Sequence, residues 1–154
     1  MRFVRWFCLG ALLAAPWELP AQRERMSLQD LEFVEKTWPE AKKTGTGIRY
    51  IILREGKGET GKSGDSAAVL YIGRLLNGTE FDRNLDREHP FTFRVGRGMV
   101  IQGWEQIMQQ MKAGEKRLVI IPAELGYGTR GAPPKIPRDS TLVFEIEVLE
   151  FKRG

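Results

Sequence analysis

Alternating apolar and polar positions dominate the chain from residue 45 onward and predict β-strands. The alternation is clearest near the end, where Leu142, Phe144 and Ile146 are separated by single residues. Glu145, Glu147 and Glu150 then occupy the opposite, outward face, where we expect a solvated surface. Strands are expected over segments 48–52, 67–76, 91–95, 116–121 and 141–151. Asn77-Gly78 is a strong hairpin signal and predicts a further strand carrying Phe81 and Asp82.

One segment has helical rather than strand periodicity. Ile101, Trp104, Met108 and Met111 recur at intervals of three, four and three residues, which is typical of the buried face of an amphipathic helix. Gly114 is placed to end that helix. One helix among five or six strands with tight turns predicts an α+β domain over residues 45–154, in which a curved antiparallel sheet wraps around the helix.

Residues 22–44 differ from the strand-rich region. Leu28, Leu31 and Val34 have helical spacing, Ser27 is a suitable N-cap, and Pro39 bounds the segment. Residues 42–47 are typical of a linker. The sequence leaves three arrangements open: the short helix packs on the domain, pairs with a second copy, or frays.

The first 21 residues have the order of a secretory signal peptide. A basic start (residues 1–5) precedes an uncharged, mostly apolar run (residues 6–17), and a small residue, Ala21, precedes Gln22 at the expected cleavage point. Twelve uncharged residues are short of the roughly 20 that a membrane-spanning helix needs, although an uncleaved anchor is the alternative. We therefore expect a periplasmic or secreted protein. Cys8 is the only cysteine, so cleavage excludes a disulfide, and with a single histidine no metal site is predicted.

Charge and motif matches exclude several classes of function. The net charge of +4 comes from basic residues interleaved with acids, as in 83–88, without a basic run, which disfavours nucleic-acid binding. Residues 126–131 match G-x-G-x-x-G, but Ala132-Pro133-Pro134 follows and prevents the helix that a dinucleotide site requires. His89 precedes Pro90 in a charged segment without a nucleophile elbow, which disfavours a hydrolase.

Aromatic residues are spread over the predicted strands and helix. Any single one is ordinarily a core residue. Asp82 directly after Phe81, and Tyr127 in a glycine-rich loop, instead favour a pocket, because a buried unpaired carboxylate costs several kcal/mol. Arg87, five residues on, is the expected partner of Asp82, and Tyr71 is the alternative. An aromatic site with one acid and no nucleophile suits a reaction without covalent or proton-transfer steps, such as rotation about an X–Pro amide.

Six motifs resemble those of the FKBP-type peptidyl-prolyl cis-trans isomerases, of the exported bacterial type, in order and near that family's spacings. They are residues 69–73 (VLYIG), 77–82 (NGTEFD), 90–93 (PFTF), 100–104 (VIQGW), 125–128 (LGYG) and 140–144 (STLVF). The resemblance covers about residues 46–152. Departures occur at Leu70, Ile72, Ala132 and Arg138-Asp139, and they affect the expected substrate preference rather than the pocket.

The resemblance implies an isomerase that needs no cofactor and acts on proline-containing segments of unfolded or folding exported proteins. It implies catalytic roles for Asp82, Tyr127, Phe91 and Trp104. Substrate-binding roles follow for Tyr71, Phe81, Arg87, Val100, Ile101, Ile136 and Phe144. Macrolides such as rapamycin are expected ligands of the same pocket. The alternatives are a peptide-binding chaperone module with little turnover, and an adaptor that dimerises through residues 22–44.

Overall fold

A computed structural model describes residues 24–154, so the predicted signal peptide lies outside the described residues. The elements, in chain order, are α1 (Leu28–Thr37), β1 (Lys42–Lys43), β2 (Arg49–Arg54), β3 (Lys57–Thr60), β4 (Ser66–Leu75), β5 (Glu80–Asn84), β6 (Phe91–Arg94), α2 (Gln102–Met108), β7 (Lys112–Ala113), β8 (Lys116–Ile121), a 3₁₀ turn (Ala123–Leu125) and β9 (Leu142–Lys152). Within this described range, no helix is both long and apolar enough to cross a membrane.

Seven strands form one antiparallel sheet in the order β1-β2-β8-β9-β4-β5, and β6 pairs with β4 beside this path. Strands β3 and β7 form a separate two-stranded ribbon. The predicted α+β fold with an antiparallel sheet and a packed helix is confirmed. The sheet has one strand more than expected because Lys42 and Lys43, predicted as linker, pair with Tyr50 and Arg49 of β2.

The long central strands β4 and β9 place the side chains of the core. Gly73 lies opposite Phe144, and Tyr71 lies opposite Ile146. Phe144 and Ile146 are buried, as the alternation predicts. On the outward face Glu145 bonds to Arg74 and Lys116, so that carboxylate lies in an ion-pair network rather than on a simply solvated face.

Helix α2 is shorter than the periodicity predicts. It ends at Met108, yet Met111 is also completely buried. The amides of Gln110 and Met111 both donate to the carbonyl of Ile107, which turns the chain tightly and keeps Met111 in the core. Gly114 does not end the helix as predicted. It lies in the turn between β7 and β8 with a φ of 79°, in the left-handed region that favours glycine.

Helix α1 packs on the outer face of the sheet, which is one of the three arrangements that the sequence leaves open. Ser27 caps it, since its hydroxyl accepts a 3.1 Å hydrogen bond from the amide of Asp30. Val34 is completely buried in a second core cluster with Met26, Ile120 and Val143. The extension is therefore part of the folded unit, although Leu28 on its outer side is 73% exposed.

Candidate active site

A cavity of about 160 Å³ opens between α2 and the sheet. It is lined by Tyr71, Phe81, Asp82, Phe91, Met99, Val100, Ile101, Trp104, Tyr127 and Phe144. The structure therefore brings together all the predicted site residues except Arg87 and Ile136, and it adds Met99.

Trp104 is the aromatic centre of the site. Trp104 is 4% exposed, and three aromatic rings contact its indole ring in edge-to-face geometry. The centroid distances are 5.1 Å to Tyr71, 5.4 Å to Phe144 and 6.2 Å to Phe91. Such contacts stabilise a fixed ring arrangement by about 0.5–1.5 kcal/mol each beyond simple burial. Trp104 therefore presents a rigid apolar floor.

Two glycines allow this close packing. A Cβ atom on Gly103 would lie 2.6 Å from Cγ2 of Ile121, so glycine lets α2 rest directly on β8. A Cβ atom on Gly73 would lie 2.7 Å from the ring of Phe81 and 2.8 Å from that of Phe144. The absence of side chains at these two positions therefore makes room for the floor and for one wall of the pocket.

The polar part of the pocket is a pair of side chains on adjacent strands. The hydroxyl of Tyr71 donates to Oδ2 of Asp82 over 2.7 Å, and the amide of Arg83 donates to Oδ1 over 2.9 Å. Burial, together with the hydrogen bond to Asp82, raises the pKa of the Tyr71 hydroxyl above its usual value. Tyr71 therefore remains a protonated donor at physiological pH, and it fixes the orientation of the exposed Asp82 carboxylate.

Arg87 does not bind Asp82, and that prediction is wrong. Its guanidinium donates to Glu147 over 2.7 Å, and Arg54 binds the same carboxylate at 2.8 Å. Burial opposes the charge on Glu147, but the two guanidinium groups lower its pKa overall. The loop that follows β5 carries Arg87 towards β9, whereas Asp82 faces β4. Proximity of five residues in sequence therefore does not place Arg87 at the pocket.

Tyr127 lies at the mouth of the pocket on a loop that follows the 3₁₀ turn, and it is 41% exposed. The loop is held by backbone bonds from Gly128 to Ala123 and from Gly131 to Tyr127, at 2.8 and 3.0 Å. Residues 132–154, all of which the structure describes, contain the strand β9 and no helix, so the G-x-G-x-x-G match does not open a helix.

Ile136 is the second predicted lining residue that the pocket does not include. It is 4% exposed and belongs to the main core cluster that also contains Trp104. Ala132 and Ile136 exchange two backbone hydrogen bonds of 2.9 and 3.0 Å, which fold the proline-containing segment back on itself. Ile136 is therefore a buried core residue that does not line the cavity.

Met99 is the lining residue that sequence reasoning missed. It lies in the turn between β6 and α2, where no periodic pattern marks a buried face. Gly96 and Gly98 have φ values of 73° and 70°, and both amides donate to the carboxylate of Glu105 in the first turn of α2. The one sequence signal that could have identified Met99 is its position directly before Val100, a predicted lining residue.

The lining residues limit the chemistry of the site. Asp82 is the only charged side chain among them, and none of them carries a thiol, an imidazole or an amine. His89 forms an exposed pair with Asp86 at 3.0 Å and lies outside the lining. The site can bind an apolar group, accept or donate hydrogen bonds at its rim, and exclude water.

Comparison with known proteins identifies relatives over most of the described range. A sequence model of the FKBP-type peptidyl-prolyl cis-trans isomerase family matches residues 57–149. Peptidyl-prolyl cis-trans isomerase FKBP2 of Homo sapiens is 53% identical over 92 residues, which are 60% of this chain and 65% of that protein. FK506-binding protein 1 of Dictyostelium discoideum is 43% identical over 106 residues, covering 69% of this chain and 99% of that protein.

The fold also matches a solved structure. FkpA from Escherichia coli superposes with a TM-score of 0.73 at 40% identity, covering 81% of this chain and 58% of FkpA. The chain spans slightly less than two thirds of the length of the FKBP2 proteins that it matches.

Proposed function

The chain belongs to the FKBP-type peptidyl-prolyl cis-trans isomerase family, and from that premise we propose that it catalyses the cis-trans isomerisation of X–Pro bonds. One observation carries the proposal: an apolar aromatic pocket with Trp104 at its floor holds a single carboxylate, Asp82, oriented by the hydroxyl of Tyr71. The substrates are proline-containing segments of unfolded or folding proteins, and the reaction uses no cofactor.

The reaction needs stabilisation of a twisted amide rather than bond cleavage. Resonance keeps the C–N bond planar with a barrier of about 18–20 kcal/mol, and uncatalysed X–Pro exchange takes tens to hundreds of seconds. Twisting returns the lone pair to nitrogen and withdraws charge from the carbonyl oxygen. The twisted amide is therefore less polar than either planar isomer.

An apolar pocket favours the less polar state. In water the planar amide is better solvated than the twisted amide. Transfer to the pocket therefore costs the planar form more solvation free energy than it costs the twisted form. The pocket thus binds the transition state more tightly than the ground state, which is the requirement for catalysis. A 10⁴-fold acceleration corresponds to roughly 5–6 kcal/mol of such differential binding.

The described pocket residues have different roles in binding. Trp104, Phe91, Val100 and Ile101 seat the proline ring. The hydroxyl of Tyr127, which is half exposed at the mouth of the pocket, donates a hydrogen bond to a substrate carbonyl. Asp82, held by Tyr71 and by the amide of Arg83, places negative charge on one side of the amide and so favours one orientation of the carbonyl dipole.

Two assays test the proposal against the chaperone alternative. The purified protein is measured in an X–Pro peptide isomerisation assay and in an aggregation assay with a proline-free client. We expect isomerisation well above the uncatalysed rate. A protein that suppresses aggregation but leaves the isomerisation rate at background would contradict the enzyme assignment.

We further propose that the protein acts on exported proteins, in the periplasm or outside the cell. The supporting observation is the basic, then apolar, then small-residue order of positions 1–21. Intact-mass measurement on secreted material tests it. Cleavage near Ala21 is expected, whereas a cytosolic protein that still begins at Met1 would contradict it.

A further inference from the structure

Within residues 24–154, Met99 is the only methionine that solvent reaches freely. It is 60% exposed, whereas Met26 is 8% exposed, and Met108 and Met111 are completely buried. Met99 also lines the pocket beside Val100 and Trp104. In the described part of the chain, one thioether is therefore freely accessible to a small oxidant in solution. That thioether lies at the candidate active site.

The structure holds this thioether at the rim of the pocket. The amide of Arg94, the last residue of β6, donates to the sulfur of Met99 over 3.4 Å. The amide of Gly98 donates to Oε1 of Glu105 over 2.8 Å, which ties the turn to the helix that carries Trp104. The side chain of Met99 is thus held by β6, and the preceding residue of the turn is held by α2.

We propose that Met99 is a peroxide-sensitive modification site, and that its oxidation to methionine sulfoxide weakens the binding of X–Pro segments. The reaction takes one oxygen atom from hydrogen peroxide: an S–O bond forms, the O–O bond breaks, and the departing oxygen takes up the remaining proton and leaves as water. Sulfur is oxidised by two electrons and the peroxide is reduced. This inference rests on the proposed isomerase function.

Oxidation changes the rim without changing the rest of the site. A thioether is a soft apolar group, whereas a sulfoxide is polar and strongly hydrated. A peptide that covers residue 99 must remove part of that hydration, which opposes binding. Trp104, Asp82 and Tyr127 are chemically untouched. We expect KM to rise by roughly three- to tenfold while kcat changes by less than about twofold.

The experiment uses mild hydrogen peroxide on the purified protein, followed by quenching and peptide mass mapping. We expect one added oxygen on Met99, the stated rise in KM, and recovery of KM after treatment with methionine sulfoxide reductase and a reductant. The melting temperature is measured in parallel, and it should change by no more than a few degrees because Met99 is not in the core.

Three variants make the test specific. Met99→Leu lacks the sulfur, and its KM, compared with its own untreated value, should not respond to peroxide. Met99→Gln introduces a polar group at the rim and should raise KM without any oxidant. Leu28→Gln is the matched control, because it places the same polar group at an exposed apolar position on α1, outside the pocket lining.

Several outcomes would overturn the inference. These are full oxidation of Met99 with an unchanged KM, an equal response in Met99→Leu, or a loss of activity that parallels a loss of folded protein. If the untreated protein shows no isomerisation, the proposed function fails instead. Calorimetric binding of an X–Pro peptide before and after oxidation still decides the inference in that case, since weaker binding supports it and equal binding contradicts it.

Discussion

The hydroxyl of Tyr71 donates a 2.7 Å hydrogen bond to Oδ2 of Asp82, and this bond joins the aromatic floor of the pocket to its only charged side chain. Tyr71 lies on β4 with its ring edge-on to Trp104, and Asp82 lies on β5, opposite Gly73. The two residues are diagonal neighbours on one face of the sheet, which brings long side chains within reach of each other. Among residues 24–154, the Tyr71 hydroxyl and the Arg83 amide hold this carboxylate, and no cationic side chain pairs with it.

This pairing predicts the behaviour of a double-mutant cycle. Asp82→Ala should lower kcat/KM by roughly five- to tenfold, about 1–1.4 kcal/mol, with little loss of stability because Asp82 is exposed. Tyr71→Phe keeps the ring and should cost a similar amount. The double mutant should lose less activity than the product of the single losses, since both act through one bond.

The measurement is kcat/KM on an X–Pro peptide, with the melting temperature recorded for each variant. Unchanged activity in Asp82→Ala together with a lower melting temperature would mean that Asp82 has a structural role only.

Trp104 and Tyr127 should separate stability from catalysis. Trp104→Ala removes a buried ring and should cost roughly 3–5 kcal/mol of stability as well as activity. Tyr127→Phe removes one hydroxyl from an exposed loop residue, so the fold should hold while kcat/KM falls several-fold, about 1 kcal/mol. Denaturant unfolding and peptide isomerisation measure the two effects. Full activity in either variant would remove that residue from the mechanism.

The strands and most of the pocket were predictable because both follow from local rules. The alternation predicted the inward face of β9, and the Asn77-Gly78 turn predicted the β4–β5 hairpin. The family motifs contain nine of the lining residues. Met99 was not predictable in this way because its position depends on two left-handed glycines and on the carboxylate of Glu105. Such turn geometry leaves no periodic pattern in the sequence.

The helices show a second limit of sequence patterns. Spacing alone cannot distinguish a helix that continues to Met111 from one that ends at Met108 and turns back into the core, because both bury the same residue. Lys42 and Lys43 have no strand pattern, and they join the sheet because the edge of β2 offers free backbone partners.

Arg87 provides a prediction that follows from the corrected pairing. Because it binds Glu147 and not Asp82, Arg87→Ala should leave kcat/KM within about twofold of the wild type. The stability cost should be at most about 1 kcal/mol, as is usual for exposed ion pairs. Glu147→Gln, which releases Arg87 and Arg54 together, is the matched control. A loss of activity as large as that of Asp82→Ala would contradict the observed pairing.

The lowered pKa of Glu24 leads us to expect that the stability of the fold depends on pH. Burial raises its pKa, but hydrogen bonds from Arg49 and Lys43 outweigh that effect and lower the pKa from 4.5 to about 2. A carboxyl with a lowered folded-state pKa stabilises the fold above its unfolded pKa and loses that contribution as the pH falls. The free energy of unfolding should therefore decrease between about pH 4.5 and pH 2.

Comparison with Glu24→Gln isolates this contribution from that of other carboxylates. The difference in unfolding free energy between wild type and variant should be about 1–2 kcal/mol near pH 6 and should disappear near pH 2. A difference that is constant over this range would mean that the contacts of Glu24 with Arg49 and Lys43 do not stabilise the packing of the N-terminal extension on the sheet.

Proline-limited refolding in the presence and absence of rapamycin measures whether the pocket around Trp104 is the active site. A client whose slow refolding phase is set by an X–Pro bond is refolded with catalytic amounts of the protein. We expect the slow phase to accelerate, and we expect rapamycin to abolish the acceleration by occupying the pocket around Trp104. A slow phase that the protein leaves unchanged, or an acceleration that survives saturating rapamycin, would contradict the claim that this pocket is the active site.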